Sequence, residues 1–392
     1  MDNHAGLTAG QAYLRALQAN DVPTIAHLDV TYRCDLDCQH CYLDERVGWP
    51  EMTTAEWVHV LDQLQALGTF RLTWSGGDVR QRADFDELLY AAGQRGFVSR
   101  VKTHAGRVTA AVADRWAALR VTMVDVSVYS LDGRTHDLFT RREGSHAATM
   151  SGIKNMLAAG IGVRISTTVV DINVAEMADM WRYFTGLGCQ LKFGCTIFRD
   201  NAASTHLDVL NLSPENRQLA EAYRLQTERA EVTALPIMAD TPCGAGRSLI
   251  YIGPDGAVTP CVVFPMQIGQ VREQPLAEIW KTSPQRQALA AWTNKDRTAC
   301  QSCGGSGLCF YCPGEAYKTT GDFKTAPAHF HARARNAMHG YEAARGPTFS
   351  AEQWASVPTG GAHPPRQDKF VFPIYRPQKG HGARVGKPAA PK

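Results

Sequence analysis

From Thr24 to about residue 196, short apolar runs alternate with stretches in which apolar positions recur every three or four residues. The short runs are Thr24–Thr31, Phe70–Ser75, Val98–Thr103, Thr122–Val128, Gly162–Val169 and Gln190–Thr196. Between them lie TTAEWVHVLDQLQAL, DFDELLYAAGQRG, VTAAVADRWAAL, AATMSGIKNMLAAG and VAEMADMWRYFTGLG. Several of these end in glycine, a usual helix stop. Six strands alternating with helices predict an α/β fold with a parallel sheet and right-handed crossovers. Six units can close partly into a barrel or lie open as a doubly wound sheet, and the period does not distinguish the two.

The pattern changes after about residue 235. LIYIGPDGAVTPC reads as a hairpin around a Pro-Asp-Gly turn. The stretch 236–345 has short elements, many glycines and many cysteines. It reads as a small domain held together by metal more than by an apolar core. Residues 1–23 read as a helical lead-in, 24–235 as the main domain, and 346–392 as a mostly disordered tail rich in Pro, Gly and basic residues. KFVFPIY within that tail could dock as a short strand.

The 392 residues carry 41 Lys and Arg against 38 Asp and Glu, a net charge of +3. So balanced a chain lacks the basic excess of a nucleic-acid binder. No run of about 18 apolar residues exists to span a membrane. The first residues have an early Asp and no apolar stretch, unlike a secretory signal. These features predict a cytoplasmic protein with neither nucleic acid nor membrane as partner.

Eleven cysteines change the picture, because nine of them are grouped. Cys34, Cys38 and Cys41 follow the first strand directly, in YRCDLDCQHCY. Cys243 and Cys261 precede Cys300, Cys303, Cys309 and Cys312. Cys189 and Cys195 flank the sixth strand and read as buried, inert thiols. Grouped thiols in a reducing compartment point to metal or iron–sulfur ligation. A cubane cluster has four irons, so three thiolates on one loop leave one iron open, as catalysis requires. The loop follows a strand C-terminus, where parallel α/β folds place their chemistry. A zinc site or three reduced structural thiols are the alternatives. In the second group, six thiols are too many for one closed site and too few for two. Either two sites borrow other ligands, or one site closes and two thiols are spare.

The loop Cys34-x3-Cys38-x-His40-Cys41 resembles the signature of the radical S-adenosylmethionine (SAM) superfamily. The resemblance implies a partial (β/α)6 barrel over about residues 24–235, and a SAM-binding 4Fe–4S cluster held by the three cysteines. It puts His40 near the adenine. TWSGGDV resembles the family's Gly-Gly-Glu motif, placing Gly76, Gly77 and Asp78 at the methionine amino group, with Asp for Glu. Ser127 in DVSVYSLDG stands where relatives put a serine on the ribose. Cys243-x12-Gly256-x4-Cys261, followed by Cys300-x2-Cys303-x5-Cys309-x2-Cys312, resembles the SPASM extension. That implies two auxiliary 4Fe–4S clusters, the first on Cys243, Cys261 and Cys312 and the second starting on Cys300, Cys303 and Cys309. The last spacing is x2 where the family commonly has x3, and the family's final cysteine is missing. His329 and His331 stand near its place, and His331, or else His329, is the expected substitute.

The resemblance implies an oxidoreductase of peptide maturation, acting on a ribosomally made precursor. Ser127-Val-Tyr-Ser, His136-Asp137 and Gly144-Ser145 resemble such maturases in particular. About 24 residues precede the first strand, so a leader-binding module is expected on a separate protein. A flavodoxin or ferredoxin is expected as reductant. Sulfatase maturation is disfavoured, since Val262 and Val263 follow Cys261 and neither accepts a proton. A haem precursor as substrate, or an electron-transfer or zinc scaffold role, are the other readings. No residue is assigned as catalytic base. Asp78, His104, Lys192 and Arg199 lie at or near strand ends, where salt bridges or caps account for them equally well.

Overall fold

A computed structural model describes residues 16–17, 20–43, 50–198, 205–227 and 241–359. Most of the lead-in, Arg199, the 235/236 boundary and the tail beyond 359 lie outside the described residues. Six parallel strands form the wall: β1 (Ile25–Thr31), β2 (Arg71–Gly76), β3 (Val98–Thr103), β4 (Met123–Ser127), β5 (Gly162–Thr168) and β6 (Gln190–Gly194). They pair in sequence order, and the sheet does not close, so the barrel is partial. Helices α1 (Thr54–Ala66), α2 (Phe85–Gln94), α3 (Ala110–Ala118), α4 (Gly133–Thr140), α5 (Ser145–Ala158) and α6 (Met177–Gly186) fill the crossovers.

Each strand obeys the period of two. Ala26, Leu28, Val30, Leu72, Trp74, Val101, Val124 and Ile165 are wholly buried and share one core with Trp57, Leu61, Phe85 and Trp116 of the helices. The helices start where their caps predict. Thr53 and Glu56 form a capping box on α1, Thr109 caps α3, and Asp132 caps α4.

Beyond β6, α7 (Pro214–Thr227) packs along the later helix Ala328–Arg345. The period reading passes over α7, although Ser213-Pro214 is a helix-start signal. The second region then departs from expectation. The hairpin strand β7 (Leu249–Ile252) pairs in parallel with β1, and β8 (Ala257–Thr259) and β9 (Gly269–Gln270) extend the same nine-stranded sheet. Ile250, Ile252, Val258, Phe264, Trp280 and Leu289 belong to the same apolar core as Leu28. The region is therefore not a domain held by metal alone. Without β7, β1 would leave its backbone groups unpaired on that side, and the hairpin satisfies them.

The remaining helices are α8 (Leu276–Thr282), α9 (Pro284–Ala291), α10 (Thr298–Gln301), α11 (Pro313–Thr320), α12 (Ala328–Arg345) and α13 (Ala351–Ser356). The last lies within the stretch expected as tail. Ser350 and Gln353 make a capping box, and Trp354 and Val357 pack against Ala334 and Met338 of α12, beside Cys303 and Cys309. Order therefore extends past Gly346.

One ion pair clamps the hairpin to the wall. Arg272 Nε lies 2.6 Å from Glu56 Oε1 at the start of α1. That hydrogen bond, with those from Thr53, holds Glu56 near pH 2, below its ordinary 4.5. Both side chains are about one-third exposed, so the pair is worth only about 0.5–1 kcal/mol. A depressed carboxyl stabilises above its unfolded value and loses that contribution as pH falls through its folded value. Glu56→Gln should therefore lower stability by about that amount at pH 7. In urea melts the gap to wild type should shrink from about pH 4.5 towards pH 2.

Candidate functional site

The opposite face of each wall strand is polar. Asp29, Ser75, Lys102, Asp125, Ser127, Arg164 and Lys192 alternate with the buried apolar residues and turn toward the concave side. Asp125 sits at its centre. Arg100 grips it with Nε to Oδ2 at 2.6 Å and Nη2 to Oδ1 at 2.7 Å, and Arg164 Nε donates to Oδ1 at 2.6 Å. Asp29, fully buried, accepts from Tyr42 Oη at 3.1 Å and Tyr251 Oη at 2.9 Å, with His27 Nε2 3.1 Å away. Tyr251 comes from β7, so the second region completes this wall.

The cysteine loop lies over the C-terminal ends of the strands and hangs from α4. A helix C-terminus leaves carbonyls without intrahelical partners. Here the loop takes them up. Asp37 N donates to Thr140 O at 3.2 Å, Gln39 N to Phe139 O at 3.0 Å, and Gln39 Nε2 to Leu138 O at 3.0 Å. Arg142 Nη1 donates to Asp35 O at 2.8 Å. On the other side the loop meets the end of β2. Gly77 N donates to Thr31 O at 2.8 Å and Asp78 N to Arg33 O at 2.9 Å.

All eleven cysteines are free thiols. Cys34, Cys38 and Cys41 lie close enough to repel one another as thiolates. Burial, then Cys34 and Cys41, push Cys38 well up, and burial pushes Cys41 up to about 11. Such thiols stay protonated at neutral pH until a cation compensates them, which is the donor set of a metal centre. His40 fits a ligand as well. Its ring is packed between Tyr129 and Phe139, and burial lowers it to about 4, so it is neutral. Its Nδ1 is buried with no hydrogen-bond partner, a group left for something bound. The cysteine loop, the orphaned nitrogen and the glycine turn below fit a cluster and SAM.

The turn after β2 presses against the backbone that leads into the cysteine loop. A Cβ on Gly76 would lie 2.0 Å from Thr31 O, and one on Gly77 2.3 Å from Arg33 O. Gly76 also has φ +134°. The Asp78 carboxylate is occupied. It accepts from Thr103 Oγ1 at 2.5 Å, His104 N at 3.0 Å and Arg80 N at 2.9 Å. Asp78 therefore ties β2 to β3, and what the turn offers a ligand is backbone. Ser127 ends β4, where the Tyr129 phenol meets both Ser127 and Cys38. Burial and then Cys38 raise that phenol well above its ordinary value. Sequence reasoning missed Tyr129; its aromatic place in the Ser-Val-Tyr-Ser stretch was the available signal.

His104 braces the cysteine loop. Its Nε2 lies 2.9 Å from Asp35 Oδ1 and 3.3 Å from Asp78 Oδ2. Burial opposes its protonation, but Asp78, Asp35 and Cys34 outweigh it and raise it well above the ordinary value. Burial alone would raise Asp35, yet His104 and Arg107 hold it far below the usual carboxylate range.

The C-terminal thiols form two groups. Cys243, Cys261 and Cys312 make one: burial first and then Cys312 and Cys243 push Cys261 far up, and burial, with a smaller push from Cys243, lifts Cys312 to about 12. Cys309 feels burial first, then Arg297 and Arg333, then Cys300 and Cys303. His329 Nε2 is engaged by Glu315 Oε1 at 2.8 Å, and Arg333 Nη2 by Oε2 at 2.8 Å. His331 stands on α12, partly buried, and burial lowers it. Cys189 and Cys195 are buried.

The family model of the radical SAM superfamily matches residues 28–183. The chain belongs to the radical SAM superfamily. A SPASM match, an iron–sulfur cluster-binding domain, covers residues 243–304. This is a radical SAM enzyme, and the two matches imply SAM and 4Fe–4S clusters as its cofactors. It is 24% identical to an AdoMet-dependent heme synthase of Methanosarcina barkeri, over 77% of this chain and 95% of that protein. It is 28% identical to the mycofactocin maturase MftC of Mycobacterium tuberculosis, over 74% of this chain and 78% of that one. Its fold resembles the crystal structure of Streptococcus suis SuiB bound to precursor peptide SuiA. That likeness has a TM-score of 0.56 at 17% identity and covers 81% of each chain. Among the described residues of this radical SAM enzyme, no helix is long and apolar enough to cross a membrane.

Proposed function

We propose that this radical SAM enzyme modifies a ribosomally made precursor peptide in the cytoplasm, with a crosslink or an epimerised residue as product. When bound, a reduced 4Fe–4S cluster and SAM supply the 5′-deoxyadenosyl radical that takes a hydrogen atom from a side chain or α-carbon. Cys34, Cys38 and Cys41 hold that cluster. His40, the Gly76–Gly77 backbone beside Asp78, and Ser127 hold SAM. Cys243, Cys261 and Cys312 hold one auxiliary cluster, and Cys300, Cys303 and Cys309 with His331 hold another. A separate leader-binding protein and a flavodoxin or ferredoxin complete the system.

One observation carries the peptide reading. The stretches that resemble peptide maturases pack into a single unit under the cysteine loop. His136 Nδ1 accepts from Tyr129 N at 3.3 Å. The Asp137 carboxylate accepts from Gly144 N at 2.6 Å, and from Ser145 Oγ and His146 N at 2.8 Å each. That unit sets α4, whose last carbonyls hold the loop. Relatives named as maturases, MftC and the sporulation killing factor protein SkfB of Bacillus subtilis, support it. The heme synthase names support a second reading, a tetrapyrrole substrate.

Anaerobic incubation of the reconstituted enzyme with SAM, dithionite and a candidate precursor peptide should form 5′-deoxyadenosine together with an altered peptide. An unchanged peptide alongside a converted porphyrin precursor would move the assignment to tetrapyrrole chemistry. For the auxiliary site, His331→Ala should lower the auxiliary potential, since imidazole ligation raises it. A wild-type potential and iron content in that variant would remove His331 from the ligand set.

A further inference from the structure

The concave face of the wall carries a cluster of cationic side chains. Arg71, Arg100, Lys102, Arg164 and Lys192 project from β2, β3, β5 and β6, against the carboxylates of Asp29 and Asp125. The curvature of the sheet brings them together. Arg71 on β2 feels Arg164 on β5, and Lys102 on β3 feels Lys192 on β6. Those strands are three apart, about 14 Å in a flat sheet.

The two carboxylates are already engaged by other side chains. Both oxygens of Asp125 are taken by Arg100 and Arg164, and those of Asp29 by His27, Tyr42 and Tyr251. Lys102 stands opposite Asp125 in the β3–β4 register. Among the described residues its ammonium has no hydrogen-bond partner. It is solvent-accessible on the concave face; burial lowers its pKa, and Asp125 and Asp29 oppose that shift. Accessibility on the inner face of an interior strand means that the partial barrel is open there. An accessible ammonium in a low-dielectric hollow, with no side-chain acceptor of its own, is a natural partner for a bound anion.

We propose that Lys102 anchors a carboxylate of the substrate inside the barrel, with Lys192 and Arg71 extending the basic lining. The peptide reading above supplies the source: an acidic side chain or the C-terminal carboxylate of the precursor. The carboxylate of SAM is a poorer occupant for the whole lining. Arg71 begins β2, roughly 16 Å of strand below the Gly76 turn, so the basic surface runs far deeper than the rim.

The test is pulse acetylation of the reconstituted holoenzyme, with Lys102 modification followed by mass spectrometry. With SAM present, N-acetylglutamic acid α-amide, which carries only a side-chain carboxylate, or N-acetylalanine, which carries only a terminal one, should slow acetylation of Lys102. N-acetylalanine amide should not. Whichever acid protects identifies the source. Equal rates with acids and amide would overturn the proposal, and so would full protection by SAM alone. Protection by a tetracarboxylate porphyrin and by neither peptide acid would keep the carboxylate anchor and overturn the peptide reading. As a second measurement, Lys102→Met should weaken binding of the precursor peptide at least about ten-fold, as for a hydrogen bond to a charged group. Iron content and SAM dissociation constant should stay unchanged. Unchanged peptide affinity in that folded variant would also overturn the assignment.

Discussion

Replacing Cys34, Cys38 and Cys41 together with alanine should abolish SAM cleavage and remove about four iron atoms per chain. The auxiliary clusters should keep their spectroscopic signal, because their thiols lie in two other groups. The chain should still fold. The loop is tied by its backbone to the last carbonyls of α4 and to the end of β2, and none of those hydrogen bonds uses a cysteine side chain. Iron analysis, the electron paramagnetic resonance signal of the reduced protein and 5′-deoxyadenosine formation read the three outcomes. Full SAM cleavage by the triple variant would remove the radical assignment from this loop.

Gly77→Ala should be nearly as damaging by a different route. The new Cβ would meet Arg33 O at 2.3 Å, Arg33 C at 2.6 Å and Tyr32 O at 2.7 Å, all backbone of the cysteine loop. No side chain can rotate away, so the loop itself must lift from β2. We expect a loss of about 3 kcal/mol or more in stability and a lower iron content confined to the radical cluster. Gly93→Ala is the control. Its Cβ meets nothing within 4 Å on α2, and alanine there should gain about 0.5–1 kcal/mol. Urea denaturation of the two variants separates a close-approach requirement from a general intolerance of glycine replacement. Wild-type stability and iron in Gly77→Ala would show that the loop has room to move.

The sequence by itself determined the wall of the barrel and the thiol groups. All six strands lie where apolar runs predict them, because alternation of period two has one stable reading when one face must pack on helices. The cysteine groups were legible because thiols of fixed type and spacing carry their chemistry locally. What lies across the chain was decided only by the fold. Leu249–Ile252 has the composition of any short hairpin strand, and only the unpaired side of β1 makes it the seventh strand of the wall. Ser350–Ser356 sits among Pro and Gly, and becomes a helix because Trp354 and Val357 find Met338 and Ala334. Asp78 reads as a strand-end residue that a salt bridge or cap would explain, and only the fold shows its carboxylate bound by Thr103 and His104 of the next strand. The basic lumen was the least legible feature. Arg71, Lys102 and Lys192 are scattered polar residues in the chain. Curvature of the sheet makes them neighbours, because it brings strands three apart within reach of one another's charge.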